Sequence, residues 1–215
     1  MPIHREGWPF IALFAGMNVI AFLIAGWLGV LLLPLTVWCV AFFRDPERAT
    51  PDGPDLIICP ADGKLLPLAE AAPPEELGLG PAPRTRLSIF MNVFNVHVNR
   101  SPVAGTVVGR SYRPGKFFNA SFDKASAFNE RMSLRLRPQG RADEARDLAV
   151  VQIAGLVARR IVCDVGPGQG VERGGRFGII RFGSRVDVYL PPGCCVSALP
   201  GSFVRAGETI LARFG

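Results

Sequence analysis

The stretch GIIRFGSRVDVYLPPG, residues 178–193, reads as one continuous buried strand, dense in Ile, Val and Tyr and closed by a Pro-Pro-Gly turn. Its centre is wrong for a strand. Gly183 has no side chain to pack, Ser184 brings a small hydroxyl and Arg185 a charge. Taken alone, the break is a β-bulge. Two stretches on either side share a pattern: VERGGRFGIIRFG (171–183) and VRAGETILARFG (204–215) each place a Val, a Gly turn three or four residues later, and then an apolar strand. Such spacing predicts short strands joined by tight turns, a mainly β domain of sandwich or barrel-like form with a few short helices.

The other end of the chain is of a different kind. From Trp8 to Phe43 there is no Asp, Glu, Lys, Arg or His over 36 residues. As one helix this run would extend roughly 54 Å against a hydrocarbon core of about 30 Å. Two short spans joined near Ala25-Gly26, a membrane-embedded helical hairpin over residues 1–43, suit it better, with a single tilted or re-entrant helix as the alternative. The charged FFRDPER that follows is no signal-peptidase site, so the anchor is expected to stay attached. Arg5 before it and Arg44 and Arg48 after it favour both ends on the cytoplasmic side. The 215 residues then leave one well-buried domain over 44–215.

The formal charge is +6, and only Lys64, Lys116 and Lys124 among the basic residues are lysines. Beside a membrane anchor, attraction to anionic headgroups explains such a charge more simply than nucleic acid does. Five cysteines without a CxxC do not form a disulfide framework, and His4 and His97 have no second ligand at metal spacing. Neither metal nor nucleic acid is expected.

Along the domain, RATPDGPDLIICPADGKLLPL reads as linker, strand, turn and strand, and RPQGRADEARD as a solvated hairpin loop. Three short stretches hold polar residues that a β core does not call for: Asp62 in CPADGK, His97 in FNVHVNRSP and Ser184 in RFGSR. Singly they read as an Asp-Gly turn, a hydrogen-bonded histidine and a bulge. As a Ser/His/Asp set they lack the G-x-S-x-G elbow of many serine hydrolases, and their spacing does not join them. GPGQG (166–170) is not followed by Gly-Lys-Ser/Thr and reads as consecutive turns rather than a phosphate loop.

Taken in order, FFRDPER, CPADGK, FNVHVNRSP, YRPGKFFNASFDKASAFNER, QIAGLVARRIV and RFGIIRFGSRVDVYLP resemble the short bacterial form of phosphatidylserine decarboxylase, from the anchor to the last strands. The resemblance implies a proenzyme that cuts itself between Gly183 and Ser184, leaving chains 1–183 and 184–215 and turning Ser184 into a covalent pyruvoyl group. It implies His97 as the base for the Ser184 hydroxyl and Asp62 as the carboxylate that orients it, attack on the Gly183 carbonyl, elimination and release of ammonia. The pyruvoyl would then take the serine amine of phosphatidylserine as an imine and accept electrons as carbon dioxide leaves, giving phosphatidylethanolamine. His97, or a water it holds, would return the proton.

The implied partners are phosphatidylserine in the bilayer and the two chains of one proenzyme, at the bacterial inner membrane with the catalytic domain in the cytoplasm; a homo-oligomer is compatible. The chain departs from longer-form members in having Arg185 after the Gly-Ser and Arg100 three residues after His97. Arg100 is therefore a candidate for the substrate carboxylate or phosphate, and Lys116, Asn119 and Lys124 are candidates for the headgroup pocket. Two rival readings stay open: a membrane-tethered lipoyl- or biotinyl-like carrier or adaptor with Lys124 as attachment site, and a decarboxylase for a related phosphoserine lipid.

Overall fold

The computed structural model describes residues 2–115, 128–141, 143–155, 160–181 and 183–215. Two helices come first, α1 (Trp8–Ile24) and α2 (Gly26–Phe42), turned at the extended residue Ala25. Pro9 stands in the first turn of α1, where its missing N–H costs nothing. The helices lie close because Gly29 presents no side chain to α1: a Cβ there would sit 2.6 Å from the Cβ of Phe22. Asn18 Nδ2 donates to the Gly29 carbonyl at 3.0 Å, pairing a polar group in an otherwise apolar hairpin. The base is closed by backbone bonds from His4 N to Phe43 O and from Asp45 N to Pro2 O, so both ends of the hairpin meet on one side. The stretch Arg5–Ile24 is long and apolar enough to cross a membrane by length and composition; Gly26–Phe42 is shorter.

The remaining chain is mainly β. Its strands are β1 (Leu56–Ile58), β2 (Gly63–Leu65), β3 (Ala69–Ala71), β4 (Arg84–Met91), β5 (Val98–Arg100), β6 (Gly105–Arg113), β7 (Arg131–Pro138), β8 (Leu148–Ala154), β9 (Ile161–Cys163), β10 (Gly170–Val171), β11 (Arg176–Ile180), β12 (Ser184–Tyr189), β13 (Cys195–Val196), β14 (Phe203–Val204) and β15 (Ile210–Arg213). A nine-stranded sheet runs β10-β6-β7-β8-β12-β4-β2-β14 with β3 also on β4; β1-β15-β13 and β5-β11-β9 form two smaller sheets. All the pairings are antiparallel. One apolar core joins them: Ile89, Met91, Val150, Val186 and Val188 from the large sheet meet Ile57, Leu211, Phe177 and Ile180 from the small ones. This is sandwich packing, with alternate residues of each strand turned inward. The charged segment before β8 is a turn and a short 3-10 helix (Glu144–Arg146), as its composition predicts.

The opening stretch is not one strand. β11 ends at Ile180 in a small sheet, and β12 begins at Ser184 in the large one, so the chain changes sheets at the Gly-Ser junction. Periodicity could not reveal this, because both halves are buried and equally apolar. The arginines also differ from the surface charge expected of them. Arg84, Arg86, Arg100, Arg131 and Arg185 are all buried. Arg185 grips Asp187, two residues on along the same strand, through bonds of 2.6 and 2.9 Å. These five of the 24 basic residues serve the interior.

Candidate active site

Ser184 opens β12 and stands between Met91 of β4 and Ala154 of β8 in the ladder. It is fully buried, and its hydroxyl donates to Met91 Sδ at 3.3 Å. Gly183, just before it, has φ +76°, a conformation that a side chain disfavours and glycine does not. The Gly183 carbonyl accepts from Gly155 N at 3.0 Å, and the Gly183 N–H points to His97 Nε2 at 3.4 Å. The bond between residues 183 and 184 thus has a hydroxyl on one side, a backbone donor on its carbonyl oxygen and an imidazole one peptide unit upstream.

His97 lies just before β5 and is fully buried. Its Nδ1 is 3.0 Å from the Asn95 carbonyl, an acceptor, which fixes the proton on Nδ1 and leaves the Nε2 lone pair toward Gly183. Phe42, at the end of α2, covers the ring at a centroid distance of 4.3 Å. Burial pushes the imidazole pKa down to about 4, against a smaller opposing effect of the Asn95 carbonyl; Arg44 lowers it further. At neutral pH His97 is an uncharged base. The helical hairpin and the site are thereby one packed unit, since Phe42 and Phe43 join Val96, Val98 and Ile179 in a second apolar cluster.

Asp62 is not brought to His97. Its carboxylate accepts from Arg48 Nη2 at 2.7 Å and from Ala206 N at 2.8 Å, while the two nitrogens of His97 face Asn95 and Gly183. The orienting acceptor is a backbone carbonyl, which a search for side-chain triads cannot find. Arg100 is likewise engaged: it donates to Gly174 O at 2.8 Å and Pro46 O at 2.9 Å and pairs with Asp45 at 3.4 Å. With Arg176 on Asp45 and Glu47, it straps FFRDPER to the small sheet that follows His97. Lys116, Asn119 and Lys124 lie outside the described residues.

Sequence reasoning missed a polar chain beside Ser184. Met91 Sδ also takes Asn99 Nδ2 at 3.9 Å, and Asn99 Oδ1 accepts from Gln152 Nε2 at 2.8 Å. Asn99 and Gln152 are fully buried, and Gln152 Oε1 has no hydrogen-bond partner among the described residues. An unpartnered buried oxygen costs roughly 1–3 kcal/mol. The signal was a lone amide inside the apolar run LAVVQIAG. Among the described residues, no cluster of His, Cys, Asp and Glu is placed to hold a metal.

A buried serine follows a left-handed glycine whose N–H faces a neutral imidazole and whose carbonyl takes a backbone donor. Comparison with known proteins gives the family. A family model described as phosphatidylserine decarboxylase matches residues 35–212. The chain is 58% identical to the phosphatidylserine decarboxylase proenzyme of Paramagnetospirillum magneticum, over 98% of this chain and 86% of that one. It is 56% identical to the proenzyme of that name from Cereibacter sphaeroides, over 98% and 89%, and 51% identical to that of Rickettsia akari, over 99% and 90%. The chain belongs to the phosphatidylserine decarboxylase family and is a carboxy-lyase.

Proposed function

We propose that the chain is a proenzyme that cuts itself between Gly183 and Ser184 and then converts phosphatidylserine to phosphatidylethanolamine at a bilayer surface. The observation that carries the reading is the Gly183-Ser184 peptide itself, with its positive φ, its carbonyl on Gly155 N and His97 Nε2 at 3.4 Å from the Gly183 nitrogen.

Rotation of the Ser184 side chain moves Oγ from Met91 Sδ toward the Gly183 carbonyl carbon. His97, neutral because it is buried, takes the hydroxyl proton as the O–C bond forms. The Gly155 N–H receives the negative charge that develops on the carbonyl oxygen. When the C–N bond breaks, the Ser184 nitrogen takes that proton and an ester replaces the peptide. Loss of the Ser184 α-proton expels the Gly183 carboxylate, and water then replaces the nitrogen, which leaves as ammonia. Roles once assigned to Asp62 fall to the Asn95 carbonyl, which holds the imidazole tautomer.

The surroundings fit a pyruvoyl group at position 184: Met91, Ala154 and Val186 around it are buried and apolar, and the group is no larger than the serine it replaces. That ketone would supply the electron sink for decarboxylation of the lipid's serine amine. In the uncut chain residue 184 is sealed, so chain scission is what admits a headgroup.

The hairpin would seat the domain on its substrate. Leu13, Met17, Ile20, Leu23, Trp27, Leu31 and Val37 are all exposed, an apolar surface far beyond that of a soluble monomer. Arg5 and Arg44 at its base favour the cytoplasmic face of a bacterial inner membrane. The test is a denaturing intact-mass spectrum of the purified protein. Two chains divided after Gly183, the smaller lighter than a serine-started peptide by loss of ammonia, support the proposal. A single full-length chain with decarboxylase activity refutes the pyruvoyl route, and a lipoyl or biotinyl adduct on Lys124 favours the carrier.

A further inference from the structure

The polar chain beside Ser184 has no role in the scheme above. Antiparallel partners share a face, so Ser184, Met91 and Ala154 look to the same side of the sheet as Val186 and its partner Gln152. That side is the apolar core. Within it Asn99 holds one end of the Gln152 amide at 2.8 Å and is itself in contact with Met91, which touches the Ser184 hydroxyl. The other end, Oε1, is buried and unsatisfied. A carbonyl oxygen fixed in this way accepts and cannot donate.

The serine headgroup offers three kinds of polar group. Its carboxylate and phosphate are acceptors, which Oε1 repels. Its primary amine is a donor, and it is the group that must reach residue 184. We propose that Gln152 Oε1 is the amine-recognition acceptor of the site, with Asn99 as the positioning residue that keeps the amide from turning. The inference rests on the decarboxylase reading and adds an orientation to it: the site draws the amine, and not the carboxylate or phosphate, toward residue 184. An amide meets this need without adding charge to the dry pocket.

The test uses self-cut protein in detergent micelles with short-chain phosphatidylethanolamine and cyanoborohydride. Amine and ketone condense with loss of water, hydride from the reagent reduces the C=N bond, and mass spectrometry counts the secondary-amine adduct on the chain starting at residue 184. Direct borohydride reduction of the same ketone, which needs no amine, reports an intact carbonyl. Gln152→Met keeps the length and removes the acceptor; adduct formation should fall about tenfold to a hundredfold, the value of a hydrogen bond to a group that becomes charged, with borohydride reduction unchanged. Gln152→Glu keeps an acceptor oxygen and should retain the adduct, whereas Asn99→Leu should lower the ratio of adduct to reduced ketone.

Adduct formation by Gln152→Met at the parent's rate overturns the assignment, as does an equal loss in Gln152→Met and Gln152→Glu. A Gln152 variant that stays uncut overturns it too, by placing the glutamine in chain scission. If the parent protein itself shows no cut and no reducible ketone, it is the pyruvoyl reading that has failed.

Discussion

Burial holds His97 neutral down to about pH 4 in the folded chain, whereas the unfolded chain protonates it near 6.5. Between these values the unfolded state binds the extra proton, so stability falls as pH drops through that window and levels off below it. At roughly 1.4 kcal/mol per pH unit, the loss traceable to this one imidazole is about 3 kcal/mol between pH 7 and pH 4. Ser184→Ala keeps the chain uncut for the measurement. Urea unfolding of Ser184→Ala and of Ser184→Ala/His97→Leu, each at both pH values in the same detergent, isolates the effect as a difference, since every other titrating group is common to the two. The chain has only His4 and His97, so an imidazole NMR titration reads the same quantity directly. A His97 midpoint near 6.5, or a stability difference that does not move with pH, would refute the claim that the site is sealed around a neutral base.

Phe42→Ala uncovers one face of that ring; the His97 midpoint should rise toward 6.5 and the domain lose about 3–5 kcal/mol, measured by the same titration and by unfolding. Asp62→Asn should leave the His97 titration where it is while costing roughly 1–3 kcal/mol through the lost Arg48 bond, and a displaced midpoint would restore the carboxylate to the catalytic set. Gly183→Ala meets no neighbour nearer than Val93 at 4.0 Å, so its cost is backbone strain of about 1–2 kcal/mol, with slower self-cutting seen by intact mass. Arg185→Leu removes the bonds of 2.6 and 2.9 Å to the fully buried Asp187, leaving Arg86 at 4.0 Å beside it, and should cost about 3–5 kcal/mol in thermal unfolding.

Local chemistry made much of this legible. An uncharged run of 36 residues interrupted near its middle could only be long helix or hairpin, and the helices do turn at Ala25. Gly turns at regular spacing implied short antiparallel strands, and β10 and β14 lead into those turns while β11 and β15 follow them. The Gly-Ser pair stood out because a strand interior has no use for it, and His97 because an apolar run does not need an imidazole. Those are statements about single residues and their nearest neighbours in sequence, which the chain carries without being folded.

Contacts between distant segments were beyond that reach. Asp62 reads as catalytic and Arg100 as substrate-binding by type, and only the folded chain shows that Arg48 and Ala206 engage the first and Asp45 and Gly174 the second. The acceptor beside His97 and the donor on the Gly183 carbonyl, Asn95 O and Gly155 N, are backbone atoms that nearly every residue possesses, so residue identity cannot mark them. The pKa of His97 is set by what covers it, including Phe42 from 55 positions earlier in the chain. The amino-acid sequence by itself determined the two apolar helices, the β class and the family, and singled out the Gly183-Ser184 pair, because each is written in local pattern. Which groups surround that bond was decided by the tertiary structure, because burial and hydrogen-bond partnership exist only once separate strands have met.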